Sequence, residues 1–184
     1  METIIITGSV CTGKTALAKI IAEKLGFQYF DLNTLIKKNK IYDSYDKSDK
    51  CYIVDQKKLS KFLNEFFQKK LEGIQKIKHN KIKIKKLKKN HTSYVLDGHL
   101  SHYLTPKIAD LCIVTKCDIK VLNKRLNKRG YSKKKVKDNL EAEIFDVCFT
   151  EAKELGHNII TIDTTKDFKI DKAIKQIKER IKNC

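Results

Sequence analysis

The chain predicts an α/β fold, a parallel sheet flanked by helices, on three observations. Short β-branched or apolar runs alternate with segments of helical period along most of its 184 residues. The first run passes through a glycine loop directly into a helix. Later runs end in polar residues (Asp31, Asp97 and the Thr115–Asp118 turn) that a parallel sheet gathers beyond its carboxyl edge. A hydrophobic share of 41% and this length suit one compact domain with a small appendage.

Thr3-Ile4-Ile5-Ile6-Thr7 is β-branched throughout, as a strand buried on both faces requires. After the glycine loop, Leu17, Ile20, Ile21 and Leu25 recur at helical spacing, and Gly26 stops the helix. Phe27–Leu32 reads as a second strand, and residues 37–50 are polar, lysine-rich and punctuated by tyrosine. From about Asp55, Leu59, Phe62, Leu63, Phe66, Phe67, Leu71 and Ile74 mark a long amphipathic helix. Its continuation is a lysine-rich insert, about residues 69–92, with ten lysines and one glutamate. This insert extends the helix, forms a hairpin arm or stays mobile.

Tyr94-Val95-Leu96-Asp97 and Asp110–Thr115 are the third and fourth strands. Ile119–Arg129 is a helix ending at Gly130, and Ser132 caps a long helix with Val136, Leu140, Ile144, Val147 and Cys148 on one face. Asn158–Ile162 is the fifth strand, Asp171–Lys182 the last helix, and Pro106 sits in a loop.

The loop Gly8-Ser9-Val10-Cys11-Thr12-Gly13-Lys14-Thr15 has the spacing G-x-x-x-x-G-K-T. Backbone N–H groups of such a loop and its helix start cradle phosphate oxygens. Lys14 then reaches the β- and γ-phosphates, and the Thr15 hydroxyl ligates Mg²⁺. A glycine turn with an incidental lysine has the same letters; the strand before it and helix after it favour a triphosphate loop. Asp97, ending an apolar strand, suits the Mg²⁺ shell through water, or caps a turn. His99, two residues on, orients water or an acceptor, or bonds backbone in a loop. Arg125 and Arg129 are i, i+4 at a helix end in a chain with three arginines among 40 basic residues. They stabilise transferring phosphoryl charge or form a solvated helix end.

Taken together, several motifs resemble one family. Asn123-Lys124-Arg125-Leu126 through Arg129-Gly130-Tyr131-Ser132, then Lys135, Asn139 and Glu141–Val147, are similar to the signature of the isoenzyme-six type of adenylate kinase, and His99-Leu100-Ser101-His102 resembles its archaeal-like branch. Tyr42–Asp46, Cys51 and Val54-Asp55 resemble its monophosphate-binding segment, and Asp97-Gly98-His99 its D-x-H motif. The resemblance implies a P-loop, adenylate-kinase-like five-stranded sheet in order 2-3-1-4-5. It implies a monophosphate-binding region at about 31–54, a short lid at about 128–138, and ATP contacts at Cys11, Gly13, Lys14, Thr15, Ala16 and Arg129. Activity on AMP and other monophosphates, ATP hydrolysis, and partnership with ribosomal protein uS11 in small-subunit maturation are implied as well. Two positions depart from the family pattern: Val10-Cys11 replace proline and glycine, and Lys37 stands where an arginine would grip the monophosphate.

Three functions compete on these residues: a monophosphate kinase using ATP and Mg²⁺, a ribosome-assembly ATPase, and a shikimate-type kinase with Asp31-Leu32-Asn33 at the acceptor. The net charge of +18 suits polyanions, and the insert is either an rRNA contact or a solvated basic loop. Six cysteines without a C-x-x-C pair suit buried thiols in a reducing compartment rather than a structural zinc site. No apolar run approaches the ~18 residues of a membrane span. A soluble, cytoplasmic chain is expected.

Overall fold

β1 (Thr3–Thr7) is buried at all five positions and occupies the centre of a parallel five-stranded sheet. The computed structural model describes residues 2–47, 49, 51–79, 93–166 and 170–182. Its other sheet strands are β2 (Gln28–Asp31), β5 (Tyr94–Asp97), β6 (Leu111–Lys116) and β7 (Ile159–Asp163), in the order β2-β5-β1-β6-β7. Numbered within this sheet alone, that order is 2-3-1-4-5. The register pairs Asp31 with Asp97 across β2 and β5, and Ile6 with Asp97 across β1 and β5. Acidic strand ends therefore converge beside the glycine loop.

Alternation along the strands builds two cores. Ile4 and Ile6, with Val95, Leu111 and Ile113, pack on α1 (Lys14–Leu25) through Leu17, Ala18 and Ile21, and on α7 (Ile170–Lys182) through Ala173 and Ile177. Ile5, with Leu96, Cys112 and Val114, packs on the opposite face. There it meets Leu35 and Ile36 of α2 (Leu32–Asn39), and Leu59, Leu63 and Phe67 of α3 (Gln56–His79). A third cluster joins Leu122 and Leu126 of α4 (Ile119–Lys128) to Val136 of α5 (Lys133–Ile144). Val10 and Cys11 of the glycine loop pack against it.

Two elements differ from expectation. The single helix expected after Ser132 is two: α5 stops, and α6 (Val147–Glu154) restarts after Asp146 in a left-handed conformation, φ 54°. An ion pair between Lys116 and Asp146 anchors the break. Ile144 and Phe145 consequently stand 58% and 72% exposed, so the apolar stripe does not run on through them. The polar tract before α3 contains an antiparallel hairpin, β3 (Ser44–Asp46) and β4 (Cys51–Ile53), where tyrosines pack ring to ring. Cys112 and Cys117 are buried thiols, whereas Cys11, Cys51 and Cys148 are half-buried. Most of the lysine-rich insert, residues 80–92, and Cys184 lie outside the described residues.

Below the sheet edge, His102 is 1% exposed, with Nδ1 2.8 Å from the Thr7 hydroxyl and Nε2 2.9 Å from Glu151 Oε2. Burial, with His157 nearby, pushes its imidazole down to about 4. The unfolded chain titrates this group near the ordinary ~6.5, so between the two values it binds more protons than the folded chain. Stability should therefore fall as pH drops below about 6.5 and level off near 4, by on the order of 3 kcal/mol from His102. Urea titrations from pH 7 to 4 read this, and His102→Asn should flatten the dependence.

Candidate active site

Gly8 opens the loop at φ 137°, and a Cβ placed there would come within 2.7 Å of the Thr115 carbonyl oxygen. Only glycine lets β1 turn so close to β6. Thr12 closes the loop from within, its hydroxyl 2.7 Å from Ser9 O and 2.6 Å from Thr115 Oγ1. Gly13, φ 87°, precedes α1, whose first turn presents backbone N–H groups free of any side-chain cap. That geometry suits phosphate oxygens.

Lys14 is buried among this backbone. Its ammonium donates to Gly8 O at 2.9 Å and Ser9 O at 2.6 Å. Burial pushes its pKa down, against the opposing pull of nearby Cys148, Asp97, Cys11 and Glu143. An incoming phosphate offers the ammonium a better partner than two carbonyls.

Cys11 occupies the left-handed region, φ 68°, and lines the crevice above the loop. A non-glycine residue there costs about 1 kcal/mol. Cys11→Gly should recover roughly that amount as a higher midpoint of thermal unfolding, and should tighten ATP binding by clearing a side chain from the phosphate approach. Calorimetry and ATP titration check the two effects separately.

Asp97 is 2% exposed. Tyr29 donates its hydroxyl to Oδ2 at 3.0 Å, while Oδ1 has no hydrogen-bond partner among the described residues. Burial pushes this carboxyl up, and the Thr15 and Tyr29 hydroxyls and Lys14 pull it back. An orphaned buried carboxylate oxygen beside the Thr15 hydroxyl is a hard-oxygen donor set of the kind Mg²⁺ takes. Thr15 and Asp97 fit the metal.

His99 is exposed on the crevice wall, its backbone oxygen accepting the Thr7 hydroxyl at 2.9 Å. The enclosing cleft, with Lys14, His102 and Lys135 nearby, pushes its imidazole down to about 4. The ring is neutral near pH 7 and has a lone pair to offer a hydroxyl or water.

Cys11, Lys14, Thr15, Asp97 and His99 line one crevice of about 810 Å³. The loop residues Cys11, Gly13, Lys14, Thr15 and Ala16 form one side; Asp31, Asn33, Cys51 and Tyr52 form another; Arg125, Arg129, Tyr131 and Lys135 complete it. Asp31 is largely engaged already, its Oδ1 accepting Thr34 N at 2.6 Å as the N-cap of α2. Lys37 is exposed on α2 and lies outside the lining.

The two arginines do different work. Arg129 Nη1 donates to Tyr131 Oη at 3.3 Å at the crevice mouth. Arg125 donates to Thr164 O at 2.8 Å, Thr165 O at 3.3 Å and Cys117 Sγ at 3.3 Å. The helical spacing reads them as a pair aimed at phosphate, whereas the structure has Arg125 clamping the loop after β7. Those carbonyls belong to a segment too distant in sequence for spacing to reveal.

Three further participants have no role assigned from the sequence. Tyr29 supports Asp97, and Thr164 donates its hydroxyl to Thr12 O. Glu143 accepts from Ser9 Oγ at 2.6 Å and Cys117 N at 2.9 Å. Glu143 did leave a signal: it sits at i+7 from Val136 and i+3 from Leu140, a charge on an apolar stripe.

Among the described residues no helix is long and apolar enough to cross a membrane. The family model described as an AAA domain matches residues 4–146. The "Putative adenylate kinase" of Methanocaldococcus jannaschii is 34% identical over 96% of this chain and 86% of its own length. The "Adenylate kinase isoenzyme 6 homolog" of Dictyostelium discoideum is 33% identical over 87% of this chain and 79% of its own. Among solved structures, the shikimate kinase of Acinetobacter baumannii in complex with shikimate superposes with a TM-score of 0.53. It covers all of this chain and 94% of its own at 10% identity, a likeness of fold alone.

Proposed function

Because the chain belongs to the family of these putative adenylate kinases and the isoenzyme 6 homologue, we propose that it is a nucleoside monophosphate kinase. It transfers the γ-phosphoryl group of ATP to AMP and, with less discrimination, to other monophosphates. The observation that carries this reading is one crevice of about 810 Å³ in which the phosphate loop faces Asp31, Asn33, Cys51 and Tyr52 of the expected acceptor region.

The loop amides and α1 start hold the donor's phosphates, and Lys14 leaves the Gly8 and Ser9 carbonyls to follow the charge that builds on the transferring group. Thr15 and Asp97 would hold Mg²⁺, which when bound would supply positive charge to offset that of the phosphates. Arg129, from the lid at about 128–138, approaches from the crevice mouth. Arg125 acts one step removed, fixing the loop around Thr164. The acceptor's phosphate lies against residues 31–54, where Lys37 supplies at most a point charge in place of an arginine fork.

Coupled measurement of ADP formation, with ATP alone and with AMP, CMP, UMP or shikimate, tests the reading. Stimulation by AMP is expected. Turnover equal to that of ATP alone for every monophosphate would remove it, and stimulation by shikimate alone would install the small-molecule kinase instead.

One observation favours an additional hydrolytic activity. The neutral, exposed His99 ring can orient a water where the acceptor would otherwise sit. His99→Ala should then lower acceptor-free ATP hydrolysis by about 10²-fold while leaving ATP affinity within about twofold. Undiminished hydrolysis would assign the ring to the loop alone. On the resemblance and the +18 charge, we place this activity in small ribosomal subunit maturation, with uS11 as partner and the lysine-rich insert touching rRNA. Co-purification of the full chain with uS11, with and without ATP, checks the partnership. Replacing insert lysines should flatten the salt dependence of RNA binding.

A further inference from the structure

The kinase reading leaves one buried charge at the phosphate loop unused. Glu143 is 7% exposed, near the end of α5, and spends both carboxylate oxygens on groups outside its helix. One accepts the Ser9 hydroxyl at 2.6 Å and the other the Cys117 amide at 2.9 Å, where β6 has just ended. Ser9 is the hub of the loop. Its carbonyl oxygen accepts from Lys14 Nζ at 2.6 Å, Thr12 Oγ1 at 2.7 Å and Thr12 N at 3.3 Å. Whatever positions Ser9 positions the resting Lys14.

The other end of α5 is tied across the crevice. Its N-cap Ser132 donates its hydroxyl to Asp49 Oδ1 at 3.0 Å, and Lys135 donates to the Asp49 backbone oxygen. Asp49 belongs to the hairpin turn between β3 and β4, within the region read as the acceptor site. One rigid helix thus meets the acceptor hairpin at its start and the phosphate loop near its end.

We infer that Glu143 is a positioning residue that ties the phosphate loop to the lid helix, setting the loop's geometry through the Ser9 hydroxyl. This deepens the kinase reading and rests on it for its meaning, but its physical content concerns nucleotide affinity alone. A carboxylate repels a polyphosphate, so its place beside the loop answers to the loop's own structure. Here its oxygens are turned to an amide and a hydroxyl, so its hydrogen bonds hold Ser9 while the remaining charge faces Lys14. A helix that moves with the hairpin thereby carries Ser9 with it.

A double-mutant cycle on ATP binding decides the matter without depending on catalysis. Ser9→Ala and Glu143→Gln each keep the shape of the side chain and remove or weaken one side of the contact. Isothermal titration with Mg²⁺ and ATP should show each single variant binding about 5–10-fold more weakly, and the double variant no more than about twofold worse than the weaker single. Thermal midpoints measured in parallel separate folding from loop geometry. Multiplicative losses in the double variant would overturn the inference, as would wild-type ATP affinity in Glu143→Gln with a lowered midpoint. If Glu143→Gln does not fold, Ser9→Ala decides alone, since unchanged affinity there leaves Glu143 no route to the loop. Absence of AMP-stimulated turnover in the wild-type chain would instead remove the kinase reading and leave the cycle's result standing.

Discussion

Lys14→Met should lower ATP-dependent turnover by about 10³-fold or more, the scale on which a preorganised cation at a transferring phosphoryl group acts. The methionine keeps the length of the stem and discards the ammonium. In the resting loop that ammonium is bonded to Gly8 O and Ser9 O, and burial already disfavours its charge. The folded state therefore loses little: Ser9 O retains the Thr12 hydroxyl as a donor. Steady-state ADP production and a thermal melt, measured on one preparation, check both halves. A variant that melts like the wild type and retains more than a tenth of its turnover would take Lys14 out of the chemistry.

Asp97→Asn should have the second-largest effect and the opposite sign for stability. Turnover should fall by about 10²–10³-fold, because a neutral amide holds the Mg²⁺ shell poorly. The unliganded fold should nonetheless gain about 1 kcal/mol, or about 2–4 °C in thermal midpoint. The sign follows from the carboxyl itself. Its pKa is raised in the fold by burial, so the ionised form is held at a cost, and Oδ1 has no hydrogen-bond partner among the described residues. Asparagine removes the charge and keeps the acceptor for Tyr29. The stabilisation that Mg²⁺ with ATP confers on the wild type should shrink in the variant. A destabilised variant would mean that the carboxylate serves the fold rather than the metal.

Legibility differed from one residue to the next according to the range of the interaction. The positions of Lys14, Thr15 and Asp97 at the crevice are legible because each is set within a strand, a loop and one helical turn. The same holds for Ser132, whose hydroxyl accepts Lys135 N as a helix cap. The bonding of Arg125 is not legible in the sequence, because the carbonyls it holds at Thr164 and Thr165 arrive from beyond β7. The single helix expected after Ser132 failed for a similar reason: the apolar spacing continues smoothly, and the break at Asp146 is anchored by Lys116 from another element. The β3–β4 hairpin is not legible in the sequence, because strands this short and exposed carry no clean alternation.

The glycine loop, its lysine and the strand-ending aspartate belong to the sequence by itself. So does the alternation of strand and helix that fixes the fold class, since these rest on local sterics and on periods of two and of 3.6 residues. Tertiary structure decided what surrounds them. It placed Glu143 on Ser9, Tyr29 on Asp97 and Asp49 at the start of α5, and it held Cys11 at a positive φ in the glycine loop. The physical reason is common to all four. Hydrogen-bond partners across an α/β fold, and the backbone angle a packed loop imposes on one residue, depend on how strands and helices far apart in sequence pack together.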